Sequence, residues 1–187
     1  MKVVCVTLGL LLSGPGCKSD TGQPAAPPAQ PAAERLALQD SPGTGSVDAQ
    51  IFEAQSAVRK LPAKLDGWVA LGRLWSQKAR ETGDPGFHLN ARDAADAALA
   101  IAPSDPVVLG FVGQTELIAH RFGDAVRSAD RALATSPRDL VALSVKSDGL
   151  LELGRFEDAA VVVQTLVDLK PNLAAYARVS YLRWLKG

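Results

Sequence analysis

Cysteine, histidine and net charge are what this 187-residue chain has least of, and each shortage excludes a class of function. Both cysteines, Cys5 and Cys17, fall near the N-terminus, so no disulfide framework and no cysteine-based metal site can hold the body of the protein. The two histidines, His88 and His120, each lie near an inter-helix turn and read as solvent-facing turn residues rather than metal ligands. Twenty Lys plus Arg balance twenty Asp plus Glu, which leaves no net field to hold a phosphate backbone by counterion release. Nucleic acid is therefore not an expected partner. Gly-x-Ser-x-Gly, His-Glu-x-x-His and Lys-terminated phosphate loops are missing, and Gly43 and Gly45 have no preceding strand and no third Gly in phase. No catalytic residue, metal ligand or cofactor is expected. The acidic residues Asp93, Asp96, Glu157 and Asp158 read as groups that cap helices or complement their dipoles.

Strand signals are scarce, and alanine, which loses no side-chain entropy in a helix, is abundant from Gln50 to Tyr181. The expected fold is all-α. Ahead of it, Met1-Lys2 and the apolar run Val3 to Leu12 lead through small residues to Cys17, the order of an export signal. Ten residues are too few for a spanning helix, which needs about 20. A small residue directly before Cys17 resembles the lipobox of bacterial lipoproteins, which implies removal of residues 1–16 and a lipid on Cys17. Gly14 and Pro15 depart from the usual pattern. Residues 17–46 are rich in Pro, Ala, Gly, Ser and Gln and read as a disordered linker, with ends roughly 30 Å apart as a flexible coil. The expected location is the bacterial cell envelope, lipid-anchored on a periplasmic or outer-membrane face and touching membrane only through the lipid. A soluble secreted or periplasmic chain is the alternative.

The body, residues 47–187, repeats. Pro103, Pro137 and Pro171 are spaced by 34 residues and each ends an Ala- or Leu-rich run, as Pro62 does. Six residues beyond these prolines stand Trp68, Leu109, Leu143 and Ala177 as first buried positions. Trp68, Leu71, Gly72 and Trp75, then Leu109, Val112, Gly113, Phe122, Ala125 and Ala132, then Leu143, Gly154, Phe156 and Ala159 resemble the tetratricopeptide-repeat unit. That resemblance implies a solenoid of antiparallel helix pairs, with units at 47–64, 65–105, 106–139 and 140–173 and a final helix at 174–187. The spacing predicts eight helices at 47–60, 64–81, 85–101, 106–120, 123–135, 139–153, 156–169 and 173–186. Asp84-Pro85 and Asp105-Pro106 are expected helix starts. Between Trp68 and Pro103 seven extra residues predict a first helix longer by about two turns, and Lys146-Ser147 in place of Leu-Gly predicts a looser contact in the third unit. Trp75, Phe111, Phe122, Phe156 and Tyr176 are expected in the core.

The resemblance also implies a concave groove, lined by the first helix of each unit, that receives a protein or peptide. The corresponding positions are Asp66, Val69 and Arg73; Val107, Gly110, Gln114 and Leu117; and Val141, Ser144, Asp148 and Leu151. With Arg73 the one cation among them and Asp66 and Asp148 opposing anions, an apolar or partly basic segment is the expected occupant. The last helix keeps Tyr181, Leu182, Trp184 and Leu185 on more than one packed stripe, so Tyr181, Leu182 and Trp184 form a candidate contact surface, with Trp184 as the anchor of a partner or of a homo-oligomer. The expected function is a non-enzymatic adaptor or scaffold. A structural homo-oligomer is one alternative, and an enzyme or carrier using an inter-helix pocket is the other.

Overall fold

The computed structural model describes residues 35–187; the segment 1–16, Cys17 and the chain to residue 34 lie outside the described residues. Eight helices follow in order: α1 (Ser46–Lys60), α2 (Leu65–Thr82), α3 (Phe87–Ile101), α4 (Pro106–Ile118), α5 (Phe122–Thr135), α6 (Leu140–Glu152), α7 (Phe156–Leu169) and α8 (Leu173–Lys186). Each packs on its neighbours in sequence, and α4 also packs on α6, so the chain is an all-α solenoid of helix pairs.

The prolines stop helices by a local steric effect. Leu61, Ala102, Ser136 and Lys170 each precede a proline, whose ring disfavours helical backbone there, and each sits at φ between −132° and −152°, outside the helical region. Acceptors then restart the chain. Asp105 accepts from the Val107 and Val108 N–H groups at 2.9 and 3.1 Å, Asp139 from Ala142 at 2.7 Å and Asn172 from Ala175 at 2.9 Å. Asp84 behaves differently from Asp105. It accepts from the Gly86 N–H at 2.8 Å, which closes a turn, and α3 begins beyond it at Phe87. Of the seven extra residues in the first unit, α2 takes five relative to α4, at 18 residues against 13, and the turn after it and α3 take one each. The extension of α2 is thus nearer one and a half turns than two.

Close helix contacts fall on glycine. A Cβ on Gly72 would lie 2.5 Å from Phe111 Cζ and 3.1 Å from the Ala91 carbonyl, and one on Gly113 would lie 2.7 Å from Val145 Cγ1. In the third unit α6 meets α7 less extensively than α4 meets α5, as the Lys146-Ser147 departure predicts. Ser147 is fully buried with its Oγ donating to the Ser144 carbonyl at 2.9 Å, and Gly149 marks a separate close approach, to α5, where a Cβ would lie 2.8 Å from Val126 Cγ2. Lys146 turns aside to pair with Asp130 at 2.7 Å.

The domain starts earlier than residue 47. A 3-10 turn at Leu36–Leu38 lies against α2 and α3, with Ala37 and Leu38 buried, so the last part of the expected linker is a packed strap. The Ala37 carbonyl accepts from Gln55 Nε2 and Trp75 Nε1, both at 3.0 Å, and its N–H donates to Asp93 at 3.0 Å. Asp93, expected to complement a helix dipole, instead holds this strap and also binds Arg35 at 3.1 Å. Lys78, 1% exposed, donates to Asp48, to Ser41 Oγ and to the Pro42 carbonyl, and its ammonium stands 4.9 Å from the Phe87 ring centre. Linker composition hides this because these partners lie 18 to 58 residues away.

The α4–α5 and α6–α7 turns share one geometry but place different residues at its left-handed position. Gly154 has φ +72° and His120, at the matching place, φ +56°, a left-handed conformation that costs a side chain roughly 1–2 kcal/mol. Nothing lies within 4 Å of a Cβ built on Gly154, so its Ala variant tests conformation alone. Gly154→Ala is expected to lower stability by about 1 kcal/mol in urea unfolding. His120→Gly is expected to change it by less than that, because the relief is offset by the entropy of Gly and the loss of the His120 edge contact to Phe122.

Candidate partner-binding groove

Counting from the residue that caps each first helix, Lys64, Asp105, Asp139 and Asn172, aligns α2, α4, α6 and α8. Three and ten residues on, Val108/Ala142/Ala175 and Thr115/Gly149/Leu182 are buried in all of the last three helices. Nine residues on stand Arg73, Gln114, Asp148 and Tyr181, and twelve on stand Ser76, Leu117, Leu151 and Trp184. These two rows run across the first helices. Asn172 follows Asp139 by 33 residues where Asp139 follows Asp105 by 34, so α8 is set one residue earlier than the proline spacing implies.

The groove positions separate accordingly. Asp66, Arg73, Val107 and Gln114 are exposed, and Leu117, Val141 and Leu151 are half-buried. Two expected lining residues instead belong to the packing beneath. Val69 is 5% exposed, and Gly110 is buried, its Cβ position 3.3 Å from Val141 Cγ1. Ser144 is half-buried and donates to the Leu140 carbonyl of its own helix at 2.8 Å. All three sit five residues after the cap. Asp148 is not a free anion. Arg178 on α8 clasps it through Nε and Nη2, both at 2.6 Å, and this hydrogen bonding raises the guanidinium pKa further.

Between α2 and α4 the rows open into a cleft of about 740 Å³. Half-buried Leu74 and exposed Ile118 supply apolar wall over the buried Phe111, while Arg73, Gln77 and Arg80 line up at helical spacing along α2. Neither Arg73 nor Arg80 has a hydrogen bond or an ion pair among the described residues, and no carboxylate lines the cleft. Arg80 went unnoticed in the sequence although its spacing of seven from Arg73 puts it on the same face. The expectation of a partly basic occupant therefore reverses here: the free charges are cationic.

The last helix also divides. Leu182 is 5% exposed and turns inward on the stripe with Ala175 and Val179, so it cannot be a contact residue. Tyr181 and Trp184 are 48% and 73% exposed and stack at 6.0 Å between ring centres. Tyr176, expected in the core, is exposed, as is Ala177. Positions four, eight and eleven after the cap face the second helix of the unit in α4 and α6; in α8 they are Tyr176, Ser180 and Arg183, which face no helix among the described residues.

Other titratable groups lie off the groove. Burial raises the Glu116 carboxyl pKa at the α4–α5 contact, where Ser128 Oγ donates to it at 2.7 Å, and burial likewise raises that of Asp96. His88 is half-buried rather than solvent-facing, and burial, then Arg80, keep its imidazole pKa below the usual value. Among the described residues no three His, Cys, Asp or Glu side chains converge on a possible metal site.

The fold and its row of first helices define a helix-pair repeat solenoid of the tetratricopeptide type. Among solved structures, the crystal structure of MamA is similar, with a TM-score of 0.58 and 14% sequence identity over 78% of this chain and 86% of that one. This is a likeness of fold. No family model and no curated protein matches the sequence.

Proposed function

We propose that the protein is an exported, lipid-anchored adaptor that holds a protein or peptide partner along the concave face of its solenoid. The observation that supports binding is the α2–α4 cleft, where two exposed guanidinium groups with no partner among the described residues border an apolar wall. Their alignment beside an apolar floor suits a partner that satisfies both. Anchoring is argued from the sequence alone, from Val3–Leu12, the small residues after it and Cys17. No helix among the described residues is long and apolar enough to cross a membrane.

Two measurements test the two halves. A photo-crosslinking side chain at Gln114 is expected to yield discrete adducts in the native envelope, whereas one at Arg127, which is exposed on α5, is not. Equal labelling from both positions, or none from Gln114, contradicts a groove partner. Cys17→Ser is expected to move the protein from the membrane fraction to the soluble one, and a variant that still pellets with membranes contradicts anchoring at this residue.

A further inference from the structure

We propose that the occupant of this groove is an extended segment of a partner protein, with an acidic end over Arg73 and Arg80 and an apolar end on Tyr181 and Trp184. The inference rests on the groove reading and adds the chemistry of the ligand. It begins with the cap alignment. Tyr181 falls in the row of Arg73, Gln114 and Asp148, and Trp184 in the row of Leu117 and Leu151. The stacked aromatic pair is therefore the far end of the same face that opens the α2–α4 cleft, while the open side of α8 carries Tyr176, Ser180 and Arg183 and is the more polar of the two.

Charge varies along this face in one direction. At the α2 end Arg73 and Arg80 stand two turns apart without a carboxylate partner, on the order of 10 Å along the helix axis. In the middle Gln114 is uncharged and Asp148 is neutralised by Arg178. At the α8 end the aromatics take over, and rigid exposed aromatic rings are the side chains that most often anchor a partner. Asp66, the remaining free anion of the expected lining, sits at the start of α2, about two turns from Arg73. Packed helices lie 8–10 Å apart and only the α4–α6 step is such a pair, so the three steps from α2 to α8 span at least roughly 25–30 Å, the reach of about nine to twelve residues of extended chain. One linear segment can thus touch both ends. A second copy docking end to end would meet the Tyr176 side instead.

The test uses the full chain and three blocked twelve-residue peptides. One carries two Asp at one end and Leu-Phe-Leu at the other across a Gly/Ser spacer, one has Lys for Asp, and one has Ser for the apolar residues. Trp68 and Trp75 are buried, so acrylamide quenching of tryptophan emission reports chiefly on Trp184. The acidic-apolar peptide is expected to bind and to shield Trp184, the Lys peptide to bind at least tenfold more weakly, and the Ser peptide to give no shielding. Arg73→Ala with Arg80→Ala is expected to abolish the preference for Asp over Lys, and Trp184→Ala to weaken only peptides that carry the apolar end. Equal affinity of the Asp and Lys peptides, binding without shielding, or no binding by any peptide overturns the proposal. So does shielding of Trp184 in the peptide-free chain that disappears on dilution, which would put a second copy on the aromatics. If every peptide fails while Gln114 still crosslinks, the adaptor reading stands and this ligand chemistry falls.

Discussion

Asp48→Ala is expected to destabilise the fold by about 3–5 kcal/mol, because it leaves the Lys78 ammonium buried without its counter-ion. Lys78 keeps Ser41 Oγ and the Pro42 carbonyl at 2.8 Å each, and neither carries the charge that compensates removal from water. Urea unfolding measures the loss, and a cost below about 1 kcal/mol, the value of an exposed ion pair, would show that water reaches the ammonium. The double variant Asp48→Ala with Lys78→Met is expected to recover much of the difference, since an apolar side chain of similar length can fill the space beside Phe87. The pair also sets an acid limit. Hydrogen bonds from Lys78 and then Ser41 hold the Asp48 carboxyl below the usual carboxylate range. A carboxyl whose folded pKa is depressed contributes stability above its unfolded pKa and loses it as pH falls through the folded value. Stability of the parent is therefore expected to decline with acid more steeply than that of Asp48→Ala.

Gly113→Leu is expected to cost about 3 kcal/mol or more, at the upper end of overpacking effects, because even its Cβ would stand 2.7 Å from Val145 Cγ1. The side chain would have to part α4 from α6, and in a solenoid that also loosens the next interface. Gly123 provides the contrast. It lies in α5 with only Arg127 Nη1 near its Cβ, at 3.6 Å, so Gly123→Ala is expected to be neutral or to stabilise by roughly 0.5–1 kcal/mol through helix propensity. A melting temperature unchanged by Gly113→Leu would mean that the helices do not meet at this residue.

Much of the architecture was legible because its causes are local. A proline acts on the residue before it, a capping Asp or Asn on N–H groups two or three residues later, and a 34-residue recurrence of these signals needs no knowledge of the partner helix. Helix number, helix pairing and the glycine contacts of the first two units follow from such signals at Pro62, Pro103, Pro137, Pro171, Gly72 and Gly113. The third unit shows the limit: the glycine at Gly149 is as plain in the sequence as Gly113, yet its close approach is to Val126 on the preceding helix α5. Which neighbour a small residue faces depends on how the helix is rotated.

Side-chain roles across the groove were less legible because they depend on partners distant in sequence. Asp148 looked like a free anion until Arg178, 30 residues later, was placed on it, and Asp93 looked like a helix-terminal charge until the strap at Arg35–Leu38 supplied its donors. The sequence by itself determined that the chain is helical, where the helices break and that they recur in pairs, because propensity, capping and proline sterics act within a few residues. Only the tertiary structure decided that the strap is part of the domain, that Leu182 is core while Trp184 is surface, and that Arg73 and Arg80 have no partner among the described residues. Each of these depends on which side chains the folded chain brings within a few ångströms, and a one-residue change of spacing before α8 was enough to rotate its faces.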